Sequence, residues 1–256
     1  MILITGMQRS GTSMVCQLLA ALGMSFGDAA EHLPGDRWNA AGYFELKEVM
    51  DVNSRIITGL PRHRSRFVAW LSKLAYMRMP GAATIAARAE RQRSAVTELG
   101  QRYRACAVKD PRFCLTLRYW QQWTDVQRVV VCVRDPTAVV ESMARRHWLP
   151  RWLGARFYAY HVDALLEQLP AHSVLFVDVD RLVAGVAEEL DVLRQELDLV
   201  AGPPSATLLR DVVRAEVFAA AGSGPDPCPA AAKSAWRRLT AEAAARHTSK
   251  ANAGPR

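Results

Sequence analysis

The chain has 256 residues, of which 50% are hydrophobic and 23% are charged. This is the composition of a globular protein, and it excludes disordered, collagen-like and coiled-coil chains. The apolar stretches are short and interrupted by Arg or Gln, which excludes a membrane-spanning helix. The formal charge of +8 favours an anionic ligand, nucleic acid or an anionic membrane surface, without choosing among them.

The cysteine content and the N-terminal sequence indicate the cellular compartment. Five cysteines are too few, and odd in number, for a disulfide framework. Their spacing to histidines does not suggest a zinc site. The N-terminus begins Met-Ile-Leu-Ile-Thr and lacks the basic and apolar regions of a signal peptide. We therefore expect a cytoplasmic protein.

The first predicted elements form a strand, a loop and a helix. Residues 2–5 are a β-branched run that predicts a strand, and residues 6–13 are a polar loop bounded by glycines. An apolar stripe with helical spacing follows directly. Residues 28–44 are rich in Gly, Pro, Asp and Asn and predict a longer loop, whereas 46–60 predict a second helix.

Three further apolar runs predict strands at residues 105–109, 128–133 and 173–177. The continuous apolar character of 128–133 is typical of a parallel strand covered on both faces. Strands that alternate with helices predict an α/β fold with a mostly parallel central sheet flanked by helices.

The composition also suggests a domain organisation. We expect residues 1–220 to form a single α/β domain, with 60–100 as a helical insertion or lid. The basic, amphipathic stretch at 62–79 has three interpretations: a membrane-surface helix, a lid over an apolar acceptor, or a helix packed on the core, which is favoured. Residues 221–256 are rich in Ala, Gly, Pro and Ser and predict a mobile tail, with a helix at 230–246.

The strongest chemical signal is the loop Gly-Met-Gln-Arg-Ser-Gly-Thr-Ser at residues 6–13. Its Gly-x4-Gly spacing matches a phosphate-binding loop between a strand and a helix, where backbone N–H groups converge on an anion. Thr12 stands where a Walker loop has Lys, so Arg9 is the fixed cation of this loop. The alternative is a tight turn without a ligand; anion binding is favoured because the loop is long, polar and follows the first strand.

A second anion site is predicted from Arg134 and Ser142. Arg134 ends the most apolar strand, and Ser142 lies two turns into a helix that Asp135 is placed to cap. In open α/β sheets, ligands bind at the carboxyl ends of the strands. A guanidinium and a hydroxyl at that edge suit a phosphate.

The two segments together resemble a known family. Residues 8–13, Gln-Arg-Ser-Gly-Thr-Ser, are similar to the 5′-phosphosulfate loop of sulfotransferases that use 3′-phosphoadenosine 5′-phosphosulfate (PAPS). Arg134 with Ser142 resembles the family's 3′-phosphate motif, and residues 42–45 and 108–112 are similar to segments of bacterial members. The resemblance covers about residues 1–200. Arg9 departs from the Lys of many members, and the Arg-Lys-Gly segment of the animal cytosolic enzymes is absent.

The resemblance implies a P-loop-like nucleotide-binding fold, PAPS as co-substrate and 3′,5′-adenosine bisphosphate (PAP) as product. It implies that eight residues hold the nucleotide: Gln8, Arg9, Ser10, Gly11, Thr12, Ser13, Arg134 and Ser142. Negative charge builds on the leaving phosphate oxygen and on the transferred group, so cations and N–H donors are needed there. Arg9 suits the leaving side and Lys109 the sulfuryl oxygens, and we expect no metal.

The acceptor proton needs a base, and Glu45 is the first candidate, ahead of Asp110 and His32. Glu45 has a structural alternative as an acidic residue at a helix N-terminus. For Lys109 and Arg112, the structural alternative is an ion pair with Asp110. The sequence Asp178-Val179-Asp180 resembles a metal-binding motif of glycosyltransferases, but a strand-end carboxylate pair with a capping role is favoured.

Three functions remain open. The first is transfer of a sulfuryl group to a hydroxyl or amine of a small-molecule or carbohydrate acceptor. The second is a P-loop small-molecule kinase or phosphotransferase, which the missing Walker Lys and the Arg134/Ser142 pair disfavour. The third, nucleic-acid binding, has no recognition motif, so we expect no nucleic-acid partner. The acceptor is expected to contact variable segments at 25–45, 60–95 and 145–160. Their aromatic residues suit a sugar or an aromatic or lipophilic acceptor, with packing in the core as the alternative: Trp70, Tyr76, Trp148, Trp152, Phe157 and Tyr158.

Overall fold

A computed structural model describes most of the chain: residues 1–36, 42–61, 65–147, 149–170, 173–199, 201–213 and 228–252. Its four strands are β1 (Ile2–Thr5), β2 (Ala107–Lys109), β3 (Arg128–Val133) and β4 (Val174–Asp178). They form one sheet in the order β2-β1-β3-β4, and every described pairing is parallel. The prediction of an α/β fold with a parallel central sheet is confirmed.

Twelve helices are described around this sheet. They are α1 (Thr12–Ala21), α2 (Lys47–Thr58), α3 (Arg66–Met77), α4 (Ala82–Glu90), α5 (Arg93–Arg102), α6 (Phe113–Trp123), α7 (Pro136–His147), α8 (Arg151–Leu166), α9 (Val179–Val183), α10 (Ala187–Glu196), α11 (Ser205–Val212) and α12 (Ala230–Asn252). Among the described helices, none combines the length and the apolar character needed to cross a bilayer.

Alternating side chains along each strand build two separate cores. On one face, Leu3 packs in a cluster with residues of α2, α4 to α8 and α12. On the other face, Ile4 packs in a cluster with residues of α1 and α9 to α11. In β3, Val131 and Cys132 fall on opposite faces and are both buried, which explains why this strand is continuously apolar.

The ends of several predicted elements differ from the structure. β2 begins at Ala107 rather than 105, because the Cys106 N–H still donates to the Tyr103 carbonyl in a turn after α5. The segment after β4 forms two helices, α9 and α10, which are divided at Gly185, a residue with a φ of 80°. Glycine adopts this left-handed conformation without the steric cost that a side chain brings.

Both outer strands of the sheet make hydrogen bonds beyond it. On β2, the Ala107 N–H donates to the Ser25 carbonyl at 2.8 Å. On β4, the Asp178 N–H donates to Glu189 Oε1, also at 2.8 Å. Part of each outer edge is therefore already paired.

The orientation of α3 corrects one prediction. Phe67, Trp70 and Leu74 lie on its outer face and are 66%, 55% and 43% exposed, so the favoured interpretation, packing on the core, holds only for the opposite face of the helix. The inner face is formed by Ser72 and Tyr76, which are buried. Residues 62–64, at the start of the basic stretch, lie outside the described residues.

The C-terminal segment contains more packed structure than its composition predicts. The predicted helix at 230–246 is present as α12, which extends to Asn252 and packs against α8. Ala232, Ala235 and Leu239 are buried in the core on the α8 side of the sheet. This part of the expected mobile tail is therefore a packed helix, because its small residues allow close approach to the neighbouring helix. The rest of the tail, at 221–227 and 253–256, lies outside the described residues.

Candidate functional site

Two glycines shape the loop after β1. Gly6 has a φ of 151°, and a Cβ atom there would lie 2.6 Å from the Cys132 carbonyl oxygen of β3. Gly11 is the N-cap of α1 with a φ of 77°, and no described side chain caps this helix end. The first N–H groups of a helix have no intrahelical acceptor. The loop therefore presents backbone donors at a helix N-terminus, as an anion site requires.

Arg9 connects the two predicted anion sites. It has a φ of 73°, a conformation that costs a non-glycine residue about 1 kcal/mol or more. Its carbonyl accepts a hydrogen bond from Arg134 Nη1 at 3.0 Å, and its own Nε donates to Ser142 Oγ at 3.0 Å. The loop and the Arg134/Ser142 pair are thus in direct contact.

A third guanidinium, that of Arg146, reinforces the positive charge. Arg146 Nη2 donates to Tyr43 Oη at 2.5 Å and pairs with Asp36 at 2.9 Å, and its guanidinium lies 5.3 Å from the centre of the Tyr43 ring. Burial, and then the charge of Arg146, lowers the pKa of Arg9 to about 10. Like charges crowded in this way favour binding of an anion that carries more than one charge.

Carboxylates at the ends of β3 and β4 hold Arg134 in place. The Arg134 side chain is 5% exposed, and its Nε lies 3.6 Å from Asp180 Oδ1. Asp180 Oδ2 accepts from the Asp135 N–H at 2.7 Å, while Asp135 caps α7 by accepting from the Thr137 N–H. Asp178 in turn caps α9. The capping role predicted for Asp135 is confirmed. For the Asp178–Asp180 pair it is confirmed for Asp178 only, since Asp180 lies within α9 and contacts Arg134 and the Asp135 N–H.

Lys109, at the end of β2, is the most buried cation of the site, with 1% exposure. Its Nζ donates to Glu45 Oε1 at 2.7 Å, to the Tyr43 carbonyl at 3.1 Å and to Ser13 Oγ at 3.2 Å. One ammonium group therefore joins β2, the segment before α2 and the first turn of α1.

Glu45 belongs to a buried charge network beneath Lys109. Its Oε2 accepts from Arg112 Nη1 at 3.4 Å, and the same Arg112 nitrogen donates to Asp110 Oδ1 at 2.8 Å. Burial alone would lower the pKa of Arg112, but Asp110 and Glu45 outweigh it and the pKa is raised. The expected ion pair with Asp110 is formed by Arg112, whereas the described partner of Lys109 is Glu45.

The three candidate bases differ in what they contact. Glu45 is 8% exposed, and its carboxylate contacts Lys109 and Arg112. Asp110 is 1% exposed and accepts from Asn53, from the Arg112 side chain and from the Arg112 backbone. His32 Nε2 donates to the Phe26 carbonyl at 2.8 Å. Asp110 and His32 are thus held by structural contacts.

A buried chain of hydrogen-bonded polar groups lies behind the loop at residues 6–13, and the sequence patterns did not predict it. Gln8 Nε2 donates to Tyr76 Oη at 3.3 Å. His161 Nδ1 donates to the Phe157 carbonyl, so its Nε2 is the acceptor for the Tyr76 hydroxyl at 2.5 Å. Burial lowers the pKa of His161 to about 4, which keeps the ring neutral. Of the aromatic residues in the expected acceptor segments, Tyr76, Phe157 and Tyr158 are buried in the core, and Trp148 lies outside the described residues.

The other loop residues lie at the same helix end. Ser10 and Thr12 are buried, whereas Gln8, Gly11 and Ser13 are partly exposed. Arg146 and Tyr43 are the site residues that sequence reasoning missed. Arg146 lies four residues after Ser142 and therefore on the same helix face, which is the one signal that could have identified it.

These contacts define a class of protein: an α/β protein whose strand–loop–helix after β1 presents backbone N–H groups and Arg9 at a helix N-terminus. No family model and no curated protein matches the sequence. A sulfotransferase domain from the Synechococcus PCC 7002 olefin synthase is similar in structure, with a TM-score of 0.50 and 17% identity over 94% of each chain. A sulfotransferase domain from the curacin biosynthetic pathway has a TM-score of 0.47 and 14% identity, over 93% of this chain and 96% of that one. The chain has the fold of the Synechococcus domain, which confirms the resemblance at the level of fold.

Proposed function

We propose that this protein transfers a sulfuryl group from PAPS to a hydroxyl or amine of a small-molecule or carbohydrate acceptor and releases PAP. The observation that carries the proposal is the position of Arg9, which contacts both Arg134 and Ser142. A nucleotide with phosphate groups at both its 3′ and 5′ positions has the charge distribution that such a continuous site would bind. The fold of the Synechococcus sulfotransferase domain supports the same assignment.

The donors of the site suit this nucleotide. The backbone N–H groups at the start of α1, together with Arg9, would hold the 5′-phosphosulfate. Arg134 and Ser142 would hold the 3′-phosphate. Because Ser142 Oγ accepts from Arg9 Nε, its hydroxyl hydrogen is available to donate to a phosphate oxygen. Arg146 would add charge to either phosphate.

Lys109 is proposed to stabilise the transferred group. It reaches Ser13 of the phosphate loop, and it is held there by Glu45. During transfer, the bond between sulfur and the phosphate oxygen breaks while a bond between sulfur and the acceptor oxygen or nitrogen forms. The leaving phosphate oxygen becomes more negative, so fixed cations that need no reorganisation lower the barrier.

Glu45 is proposed to take the acceptor proton. Its carboxylate lies one hydrogen bond from Lys109, and the Leu33 N–H fixes its backbone by donating to its carbonyl at 2.9 Å. A carboxylate at this position, beside the proposed sulfuryl site, is a group that can take a proton from an acceptor hydroxyl or amine. Cationic side chains supply the charge that a metal would otherwise supply, so the reaction is proposed to need none.

The test is nucleotide binding by calorimetry. We expect PAP to bind, and its affinity to be unchanged by EDTA, because the proposed ligands are side chains and backbone N–H groups. ATP that binds only with magnesium, with no binding of PAP, would favour the kinase alternative and overturn the proposal. A screen of hydroxylated compounds with ³⁵S-labelled PAPS then identifies an acceptor for rate measurements.

A further inference from the structure

The outer face of α3 is apolar and exposed. Phe67, Trp70 and Leu74 recur at helical spacing, and the rings of Phe67 and Trp70 stack with their centres 6.2 Å apart. The opposite face is anchored, because Ser72 Oγ lies 2.9 Å from Ser54 Oγ and Tyr76 bonds to His161. The helix therefore turns its large apolar side chains to solvent while its other face is fixed to the protein.

The sequence segment that contains α3 carries charged side chains of positive sign only. Residues 52–89 contain seven Lys and Arg residues and no Asp or Glu: Arg55, Arg62, Arg64, Arg66, Lys73, Arg78 and Arg88. Lys73 lies between Trp70 and Leu74 in sequence and is exposed, as is Arg78 at the end of the helix. A partner for this surface must therefore accept both apolar groups and cations.

We propose that α3 docks on an anionic phospholipid membrane surface. A helix with Trp, Phe and Leu on one face and cations beside them lies in the lipid interface, where the rings enter the boundary with the acyl chains. The lysine and arginine side chains are attracted by anionic headgroups. A second copy of this chain would instead bring two cationic surfaces together, which is unfavourable.

This inference is independent of the proposed enzymatic activity, because it rests on α3 and on the charge of the segment around it. Docking would have one consequence for the site. Tyr76, on the anchored face of α3, accepts a hydrogen bond from Gln8 of the phosphate loop. A helix held at the lipid surface would thus be in direct contact with that loop.

The experiment is co-sedimentation of the full chain with vesicles of phosphatidylcholine alone or mixed with phosphatidylglycerol. We expect binding to the mixed vesicles only, with a loss of at least about fivefold in 500 mM salt because the headgroup charge is screened. The double variant Phe67→Ser/Trp70→Ser should bind about tenfold or more weakly, since it loses the two apolar side chains that would enter the lipid interface. Both residues are exposed, so its circular dichroism and melting temperature should stay unchanged.

Val192→Ser is the matched control. Val192 is 49% exposed on α10, which also carries Glu188, Glu189, Asp191 and Glu196 and would be repelled by the same vesicles. This variant should bind like the wild type. The proposal is overturned by a lack of vesicle binding, by equal binding to neutral vesicles, or by a double variant that binds normally. It is also overturned if light scattering shows a dimer that the double variant converts to a monomer, because α3 would then be a contact between copies.

Discussion

Arg9 Nε donates a 3.0 Å hydrogen bond to Ser142 Oγ, although the two residues are 133 positions apart in the chain. The contact joins the loop after β1 to the helix after β3. Since β1 and β3 are neighbours in the sheet, their carboxyl ends bring these two segments together. Arg134 completes the arrangement through the Arg9 carbonyl.

The first prediction separates the two phosphates of the nucleotide. Arg134→Ala should weaken PAP binding by about 2–3 kcal/mol, the usual range for a charged hydrogen bond, and Ser142→Ala by about 1 kcal/mol. The binding of adenosine 5′-phosphosulfate, which lacks the 3′-phosphate, should be weakened far less by either substitution. Calorimetry with both nucleotides measures the difference, and equal losses for the two would show that Arg134 and Ser142 do not bind the 3′-phosphate.

The second prediction concerns Arg146. Arg146→Gln removes a partly buried cation near Arg9 and should weaken PAP binding by about 1 kcal/mol, with a smaller effect in high salt. Arg146→Lys keeps the charge but not the planar contact with the Tyr43 ring, so its affinity should be intermediate.

The matched control for Arg146 is Arg91→Gln, which removes the same charge from an exposed position after α4. This variant should bind PAP like the wild type. If Arg91→Gln and Arg146→Gln weaken binding equally, net charge rather than position accounts for the effect, and Arg146 is not part of the site.

The third prediction concerns Glu45 as the base. Glu45→Gln keeps the size and an acceptor for Lys109 but cannot take the proton. Because it also removes a counter-charge of the buried Lys109, its rate is measured on protein that circular dichroism shows to be folded. We expect kcat to fall by about 10²–10⁴ while PAP affinity stays near that of the wild type. Arg9→Ala should instead lose affinity and rate together, because its charge is used in both the ground state and the transition state.

Asp110→Asn provides the contrast for Glu45. It leaves Arg112 without its closest counter-charge in a buried position, so the main effect should be a loss of stability of about 3–5 kcal/mol. Urea denaturation distinguishes this from a catalytic effect. If Glu45→Gln retains more than about a third of the wild-type rate, far above the expected loss, the role of Glu45 is to hold Lys109.

The fourth prediction concerns the pH dependence of stability. The folded state holds the pKa of His161 at about 4, below its ordinary value of 6.5, because the ring is buried. As pH falls from about 6.5 towards 4, the unfolded chain takes up the proton first, so stability is lost over this range. The His161 contribution should decrease by about 2 kcal/mol between pH 7 and pH 5.

His161→Gln removes this titration. Its free energy of unfolding, measured in urea at pH 7 and pH 5, should fall by about 2 kcal/mol less than that of the wild type. An unchanged pH dependence would mean that His161 is protonated to the same degree in the folded and unfolded states.

Local sequence signals predicted the elements whose structure depends on residues close together in the sequence. The strand–loop–helix at residues 2–21 follows from glycine spacing and apolar periodicity, and the cap at Asp135 from its place before Pro136. Arg146 over Tyr43 could not be predicted in this way, because the contact depends on how α7 meets a loop 103 residues earlier.

The exposed face of α3 shows the same limit of prediction from local sequence. Periodicity correctly predicts that Phe67, Trp70 and Leu74 share one side of a helix, but it does not say what that side faces. The outcome is decided by Ser72 and Tyr76, whose polar partners Ser54 and His161 lie far away in sequence. Burying those hydroxyls with partners fixes which side turns inward.

The paired edges of the sheet bear on how the protein behaves at high concentration. An outer strand with free N–H and C=O groups is a template for addition of a strand from another molecule. Here β2 has only three residues, and its Ala107 N–H is already bonded to Ser25. On β4, a carboxylate from α10 occupies the Asp178 N–H. At these two positions, contacts within the same chain therefore block the pairing that edge-to-edge aggregation requires.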